Sequence, residues 1–161
     1  MADKSMQWVW KPFSESLGDD VSIFTHTMPD HYHQPQHFRV DALHKENKPI
    51  VNDQRMAELR RYILDDATHF RTNRLMIPWG DDFFWSDAQL SYRFLDETIE
   101  YWNNKYDDIT LLQSTPTEYV NALKEITDVK WPVRYDDMFP YADREDTYWT
   151  GYFTSRPNAK K

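Results

Sequence analysis

Three short apolar runs, each leading into a stretch with helical spacing, restrict what this 161-residue chain can fold into more than any other feature does. The runs cover residues 21–28, 75–78 and 109–113. Short apolar runs bounded by turn signals read as strands, and strand followed by helix is the pattern of parallel βα units. After the first run and a long loop, Met56, Leu59, Ile63, Ala67 and Phe70 recur at three- and four-residue steps, which places them on one helix face. After the second, Ser86-Asp87-Ala88-Gln89 has the residue types of a capping box with Ser86 as the cap, and Leu90, Phe94, Leu95, Ile99 and Trp102 follow as an apolar stripe. After the third, Thr115-Pro116-Thr117-Glu118 joins a capping box to a proline at the first helical position, ahead of Tyr119, Ala122, Leu123 and Ile126. The predicted fold class is α/β with a parallel sheet.

From Val129 onward the regular spacing fades. Residues 131–143 are rich in proline and acid and read as an ordered, aromatic-rich loop. No repeat, low-complexity tract or linker composition divides the chain, so residues 1–161 are expected to form a single segment with no internal boundary. Three parallel strands make a poor sheet by themselves, because parallel sheets are normally covered on both faces and their edges need pairing. The expectation is a segment of a larger sheet whose neighbours lie outside this chain.

Charge narrows the partners. Nineteen basic residues against 27 acidic ones give a formal charge of -8, which repels phosphate backbones and anionic membrane surfaces. Neither nucleic acid nor membrane is an expected partner. No apolar run approaches the roughly 20 residues of a bilayer crossing, and the first residues show no signal-peptide core. The chain has no Cys, hence no disulfide and no thiolate metal site, and no Asn-x-Ser/Thr acceptor. Seven Trp and ten Tyr supply flat amphipathic rings suited both to core packing and to stacking against ligand faces.

Chemistry concentrates in Leu75-Met76-Ile77-Pro78-Trp79-Gly80-Asp81-Asp82, where two carboxylates follow a predicted buried strand. In parallel α/β folds reacting groups gather at the C-terminal ends of strands, since the loops there converge. One of the pair suits a general acid, which must hold its proton until the leaving oxygen takes it. Trp79, Phe83, Phe84 and Trp85 are the rings expected to raise its pKa by burial. An Asp at this point equally suits the cap of the next helical turn. The loop after the first strand carries His26, His31, His33 and His37, four of the six histidines. In extended backbone His31 and His33 point oppositely, and Asp30 is the one nearby acid, so these read as solvated loop histidines rather than a metal site. The ring-dense tail, Tyr148-Trp149-Thr150-Gly151-Tyr152-Phe153, fits stacking on a pyranose face or plain core packing.

Taken in order, Ile23-Phe24-Thr25-His26-Thr27-Met28-Pro29, Gly80-Asp81-Asp82-Phe83, Ser114-Thr115-Pro116-Thr117-Glu118-Tyr119, Asp136-Asp137-Met138-Phe139-Pro140-Tyr141-Ala142-Asp143 and the stretch from Tyr148 to Arg156-Pro157 resemble the class II α-mannosidases of glycoside hydrolase family 38, the lysosomal type above all. The resemblance implies a partial parallel β/α barrel, about three βα units from the later part of the family's N-terminal catalytic domain. It implies that Asp82 is the acid/base carboxylate and Asp81 its less constant neighbour on the substrate side. By the same resemblance Trp149 lines the mannose pocket and Tyr32 is a loop tyrosine near the sugar.

The family's zinc-holding His-x-Asp, its nucleophile motif Asp-Pro-Phe-Gly-His and its later His-His-Asp are absent from these 161 residues. Retaining chemistry needs a nucleophile roughly 5 Å from the acid/base. The expectation is therefore a fragment that carries the acid/base but neither the nucleophile nor the zinc ligands. Zinc would belong to the full enzyme, with no cofactor in this chain alone and no turnover by it. Its partners would be mannose-containing oligosaccharide and the remainder of the mannosidase polypeptide, in a lysosome or vacuole. The alternative is an inactive fragment that binds sugar or another protein.

Overall fold

A computed structural model of the chain describes residues 4–29, 31–35, 38, 51–153, 156, 158 and 159. In chain order the elements are β1 (Gln7–Trp10), α1 (Ser14–Leu17), β2 (Ile23–His26), α2 (Asp53–Asp66), α3 (Ala88–Lys105), α4 (Pro116–Lys124), β3 (Val133–Arg134), β4 (Tyr141–Arg144) and β5 (Thr147–Trp149), with short 3-10 turns after α2 and β5. The architecture is mixed α/β with small sheets. Two compact units divide it, Met1–Gln7 with His26–Trp131 and Trp8–Thr25 with Pro132–Lys161.

The first unit is built on α2 and α3. Asn52 caps α2 by accepting the Arg55 amide at 2.9 Å, and Met56, Leu59 and Ile63 on its inner face are buried, as their spacing predicts. The matching face of α3 contributes Phe94 and Trp102, and with Phe38 these six residues form the core. Burying each such side chain is worth about 1.5–3 kcal/mol. The cap of α3 is Asp87 rather than Ser86, accepting the Leu90 amide at 3.0 Å. A carboxylate is the stronger acceptor at the positive end of a helix, which favours Asp87 over the neighbouring hydroxyl. On α4 the predicted capping box is complete: the Glu118 amide reaches Thr115 Oγ1 at 3.2 Å, and the Thr115 amide reaches Glu118 Oε2 at 2.8 Å.

Residues 75–78 and 109–113 differ from the reading as strands. Among the described residues neither enters a sheet. Leu75, Ile77, Ile109 and Leu111 still alternate onto the core with the two-residue period of a strand. Side chains of α3 take the place of a ladder partner. The Trp102 indole donates to the Ile109 carbonyl at 2.7 Å, while the Asn103 carboxamide donates to the Leu111 carbonyl at 2.8 Å and accepts its amide at 2.9 Å. A segment outside a sheet needs such partners, because a backbone polar group left without one is costly.

Residues 8–10 of β1, 23–25 of β2 and all of β3, from the sheet of order β2-β1-β3, fall in the second unit. Strands β1 and β3 run parallel, with Val9 opposite Val133 and Trp10 opposite Arg134. The Arg134 guanidinium lies 5.2 Å over the Trp8 ring, and the Trp10 indole donates to the Asp136 carbonyl at 2.8 Å. Strands β4 and β5 form an antiparallel hairpin with an irregularity between Ala142 and Arg144. Part of the expected aromatic loop is therefore strand. In this stretch the tertiary pairing of two- to four-residue segments outweighs a local composition that favours loop. No helix among the described residues is long and apolar enough to cross a membrane.

Candidate active site

Segment 75–78, pinned by Leu75 and Ile77, delivers the chain into the acidic turn. Gly80 has φ of +149°, and a Cβ there would stand 2.8 Å from Nε1 of Trp85. That indole donates to the Trp79 carbonyl at 3.0 Å, folding the turn onto itself. Phe83 and Trp85 adopt left-handed backbone, with φ of 63° and 68°. Bulky residues hold such a conformation at a cost of about 1–3 kcal/mol each, and strain of this kind gathers at functional sites.

The two carboxylates are differently employed. Asp81 closes the turn: its Oδ1 accepts the Asp82 amide at 2.8 Å and its carbonyl accepts the Phe84 amide at 3.1 Å. Asp82 is exposed and accepts the Tyr32 hydroxyl at Oδ1, at 2.8 Å. Tyr32 arrives on the loop after β2, where the Gln34 amide donates to the Gly80 carbonyl at 2.8 Å. Tyr32, Asp81 and Asp82 are thus brought together from 50 residues apart. Trp149 closes β5 in the second unit, 49% exposed, with its ring 6.1 Å from that of Tyr141.

The rings expected to enclose Asp82 do not do so in this chain. Phe83 is 83% exposed, and Trp79, Phe84 and Trp85 are half-buried. The left-handed backbone at Phe83 reverses the chain and leaves its ring in solvent. The histidine loop also departs from expectation. Residues 32–33 bend instead of extending, which brings the His31 and His33 rings into a stack at 5.7 Å and the His31 ring to 4.1 Å from that of Tyr32. Among the described residues no three His, Asp or Glu side chains converge to hold an ion. They do not make the zinc site that the family resemblance implies for a full enzyme; Asp30 and His37 lie outside the described residues.

His26 is not a solvated loop residue. It ends β2, stacks on Phe70 at 5.0 Å and meets the Tyr119 ring edge-on at 5.5 Å. Burial pulls its pKa down to about 4. Gln7, itself buried, donates to the Tyr119 hydroxyl at 2.6 Å, and Tyr119 Oη lies 3.3 Å from His26 Nδ1. Burial, aided by the charge of Asp66, pushes the Tyr119 phenol up to about 12. Burial likewise lifts Asp66 to about 6. Sequence reasoning missed this cluster, because its members are far apart along the chain and no local pattern links them. It also missed Gln34, whose amide side chain donates to the Phe38 carbonyl and is 2% exposed.

A carboxylate held by a tyrosine on a strained turn of a mixed α/β chain does not by itself name a family. The comparison with known families does: residues 1–144 match the N-terminal domain of the glycosyl hydrolases family 38, and the chain belongs to that family. It is 35% identical to the lysosomal alpha-mannosidase of Dictyostelium discoideum over 99% of this chain. It is 36% identical to an alpha-mannosidase of Arabidopsis thaliana over 100% of its length, and 33% identical to the human lysosomal alpha-mannosidase, again over 100%. The chain spans only 16%, 16% and 17% of those relatives, respectively.

Proposed function

We propose that this chain is a segment of the catalytic domain of a retaining α-mannosidase acting on terminal α-mannosyl residues of glycans. Within it Asp82 is the acid/base carboxylate. The observation that carries this reading is the 2.8 Å hydrogen bond from the Tyr32 hydroxyl to Asp82, on a chain of the glycosyl hydrolase family. A phenol donating to one oxygen orients the carboxylate and leaves the other oxygen to face a glycosidic oxygen. There Asp82 would donate its proton as the bond to the leaving group breaks, then take a proton from the attacking water. Asp81 stiffens the turn from the substrate side, and Trp149 offers its face to a pyranose.

The nucleophile and the zinc would come from the remaining polypeptide, and the segment would take its place in a larger parallel β/α barrel. Segments 75–78 and 109–113 support this reading, since Leu75, Ile77, Ile109 and Leu111 face the core at the two-residue spacing of strands. Names of relatives place such enzymes in the lysosome, and we assign this chain a lysosomal or vacuolar setting. A second reading, a sugar-binding segment without turnover, is favoured by the exposed Tyr141 and Trp149 rings on the hairpin.

Incubation of the purified chain with an aryl α-mannoside, with and without added zinc, tests the proposal. The expected outcome is no release of chromophore. Zinc-dependent release that disappears in Asp82→Asn would keep the acid and overturn the inactivity, whereas release that survives Asp82→Asn would overturn the role of Asp82. Saturable quenching of tryptophan fluorescence by mannose, lost in Trp149→Ala, would support the second reading.

A further inference from the structure

The contact between Tyr32 and Asp82 lies two residues from a backbone bridge. The Gln34 amide donates to the Gly80 carbonyl at 2.8 Å. One step of two residues back from Gln34 and forward from Gly80 reaches Tyr32 and Asp82, which are joined at 2.8 Å. The bridge ties the bend at residues 32–33 to the turn that begins at Asp82, and Tyr32 and Asp82 meet beside it. Both sides of the bridge are pinned. Gln34 is 2% exposed and its side-chain amide donates to the carbonyl of Phe38, whose ring lies in the core. Gly80 is backed by Trp85, which leaves no room for a Cβ.

We infer that Gln34 is a positioning residue for the acid: by locking the bridge to Gly80, it holds the bend at residues 32–33 against the acidic turn, so that Tyr32 meets Asp82. The inference rests on the reading of Asp82 as the acid/base, and adds a residue that touches neither substrate nor the carboxylate.

Carbon-13 NMR of the Tyr32 ring carbon bearing the hydroxyl, in the purified chain, tests it. Replacing Asp82 by Leu removes the acceptor and is expected to shift that resonance in the otherwise unsubstituted chain. In a Gln34→Met background the same replacement is expected to cause no shift, while the Phe94 and Trp102 resonances of the core stay in place. A merely structural role for Gln34 would move the core signals and leave the response to Asp82 intact. That result overturns the inference and spares the acid assignment; no response even in the unsubstituted chain overturns the pairing itself.

Two measurements stand if Gln34→Met does not fold. Gly80→Ala, which drives a Cβ into Trp85 from the other side of the bridge, is expected to abolish the response as well. A scalar coupling across the hydrogen bond from the Gln34 nitrogen to the Gly80 carbonyl carbon is expected in the unsubstituted chain, and its absence would overturn the inference.

Discussion

Asp66 and His26 are both shifted by burial, in opposite directions. Burial raises the Asp66 pKa from 3.8 to about 6, so between those values the folded chain binds more protons than the unfolded one. The stability Asp66 contributes is full below 3.8 and is lost as pH rises through 6. Burial lowers His26 from 6.5 to about 4, so the unfolded chain binds more protons across that window. Its contribution is present above 6.5 and lost as pH falls through 4. The two slopes oppose, and the unsubstituted chain is expected to show a shallow dependence of its urea midpoint on acid pH. Asp66→Asn is expected to raise the midpoint at pH 7, leave it nearly unchanged at pH 4, and expose a monotonic loss from 6.5 to 4 that belongs to His26. A profile in Asp66→Asn that stays flat would contradict the buried, neutral imidazole. None of this is visible in the sequence, where His26 looks like one of four loop histidines; its stacking on Phe70 is a tertiary fact.

Helices were legible residue by residue, because a helix is specified by contacts three and four positions apart. Thr115, Pro116 and Glu118 announce α4, and the structure closes both hydrogen bonds of the box. Thr115→Ala is expected to cost about 1 kcal/mol of stability, read from the shift in chemical denaturation, because the Glu118 amide at the helix end loses its acceptor. The strands were less legible, because a strand is completed by a partner remote in sequence. Strand β1 is only four residues long, and its Trp-Val-Trp, though rich in strand-favouring residues, is too short to show an alternation of its own. Segments 75–78 and 109–113 have the alternation of strands, yet side chains of α3 satisfy the second of them. Trp102→Phe keeps most of the ring but strands the Ile109 carbonyl, with an expected cost of about 1–3 kcal/mol. Hydrogen exchange should quicken first at residues 109–111, and a uniform loss of protection would count against this local role.

At the scale of the molecule, the core of Phe38, Met56, Leu59, Ile63, Phe94 and Trp102 belongs to one unit, and Leu59→Ala is expected to destabilise it by about 2–5 kcal/mol. Two unfolding transitions, of which only one moves in Leu59→Ala, are the expected calorimetric record of two compact units. The family was readable from ordered motifs along the chain, and the match over residues 1–144 upholds it. The inner face of α2 at Met56, Leu59 and Ile63, the capping box of α4 and the acidic turn after segment 75–78 were likewise legible in the sequence, since each depends on residues a few positions apart, whereas the cap of α3 fell on Asp87 and not on Ser86. Only the tertiary structure decided that Tyr32 meets Asp82, that Asp81 closes the turn, that Phe83 stands in solvent, and that His26 is buried against Phe70 and Tyr119. Those contacts join segments many residues apart, and which of them form is settled by how the whole chain packs.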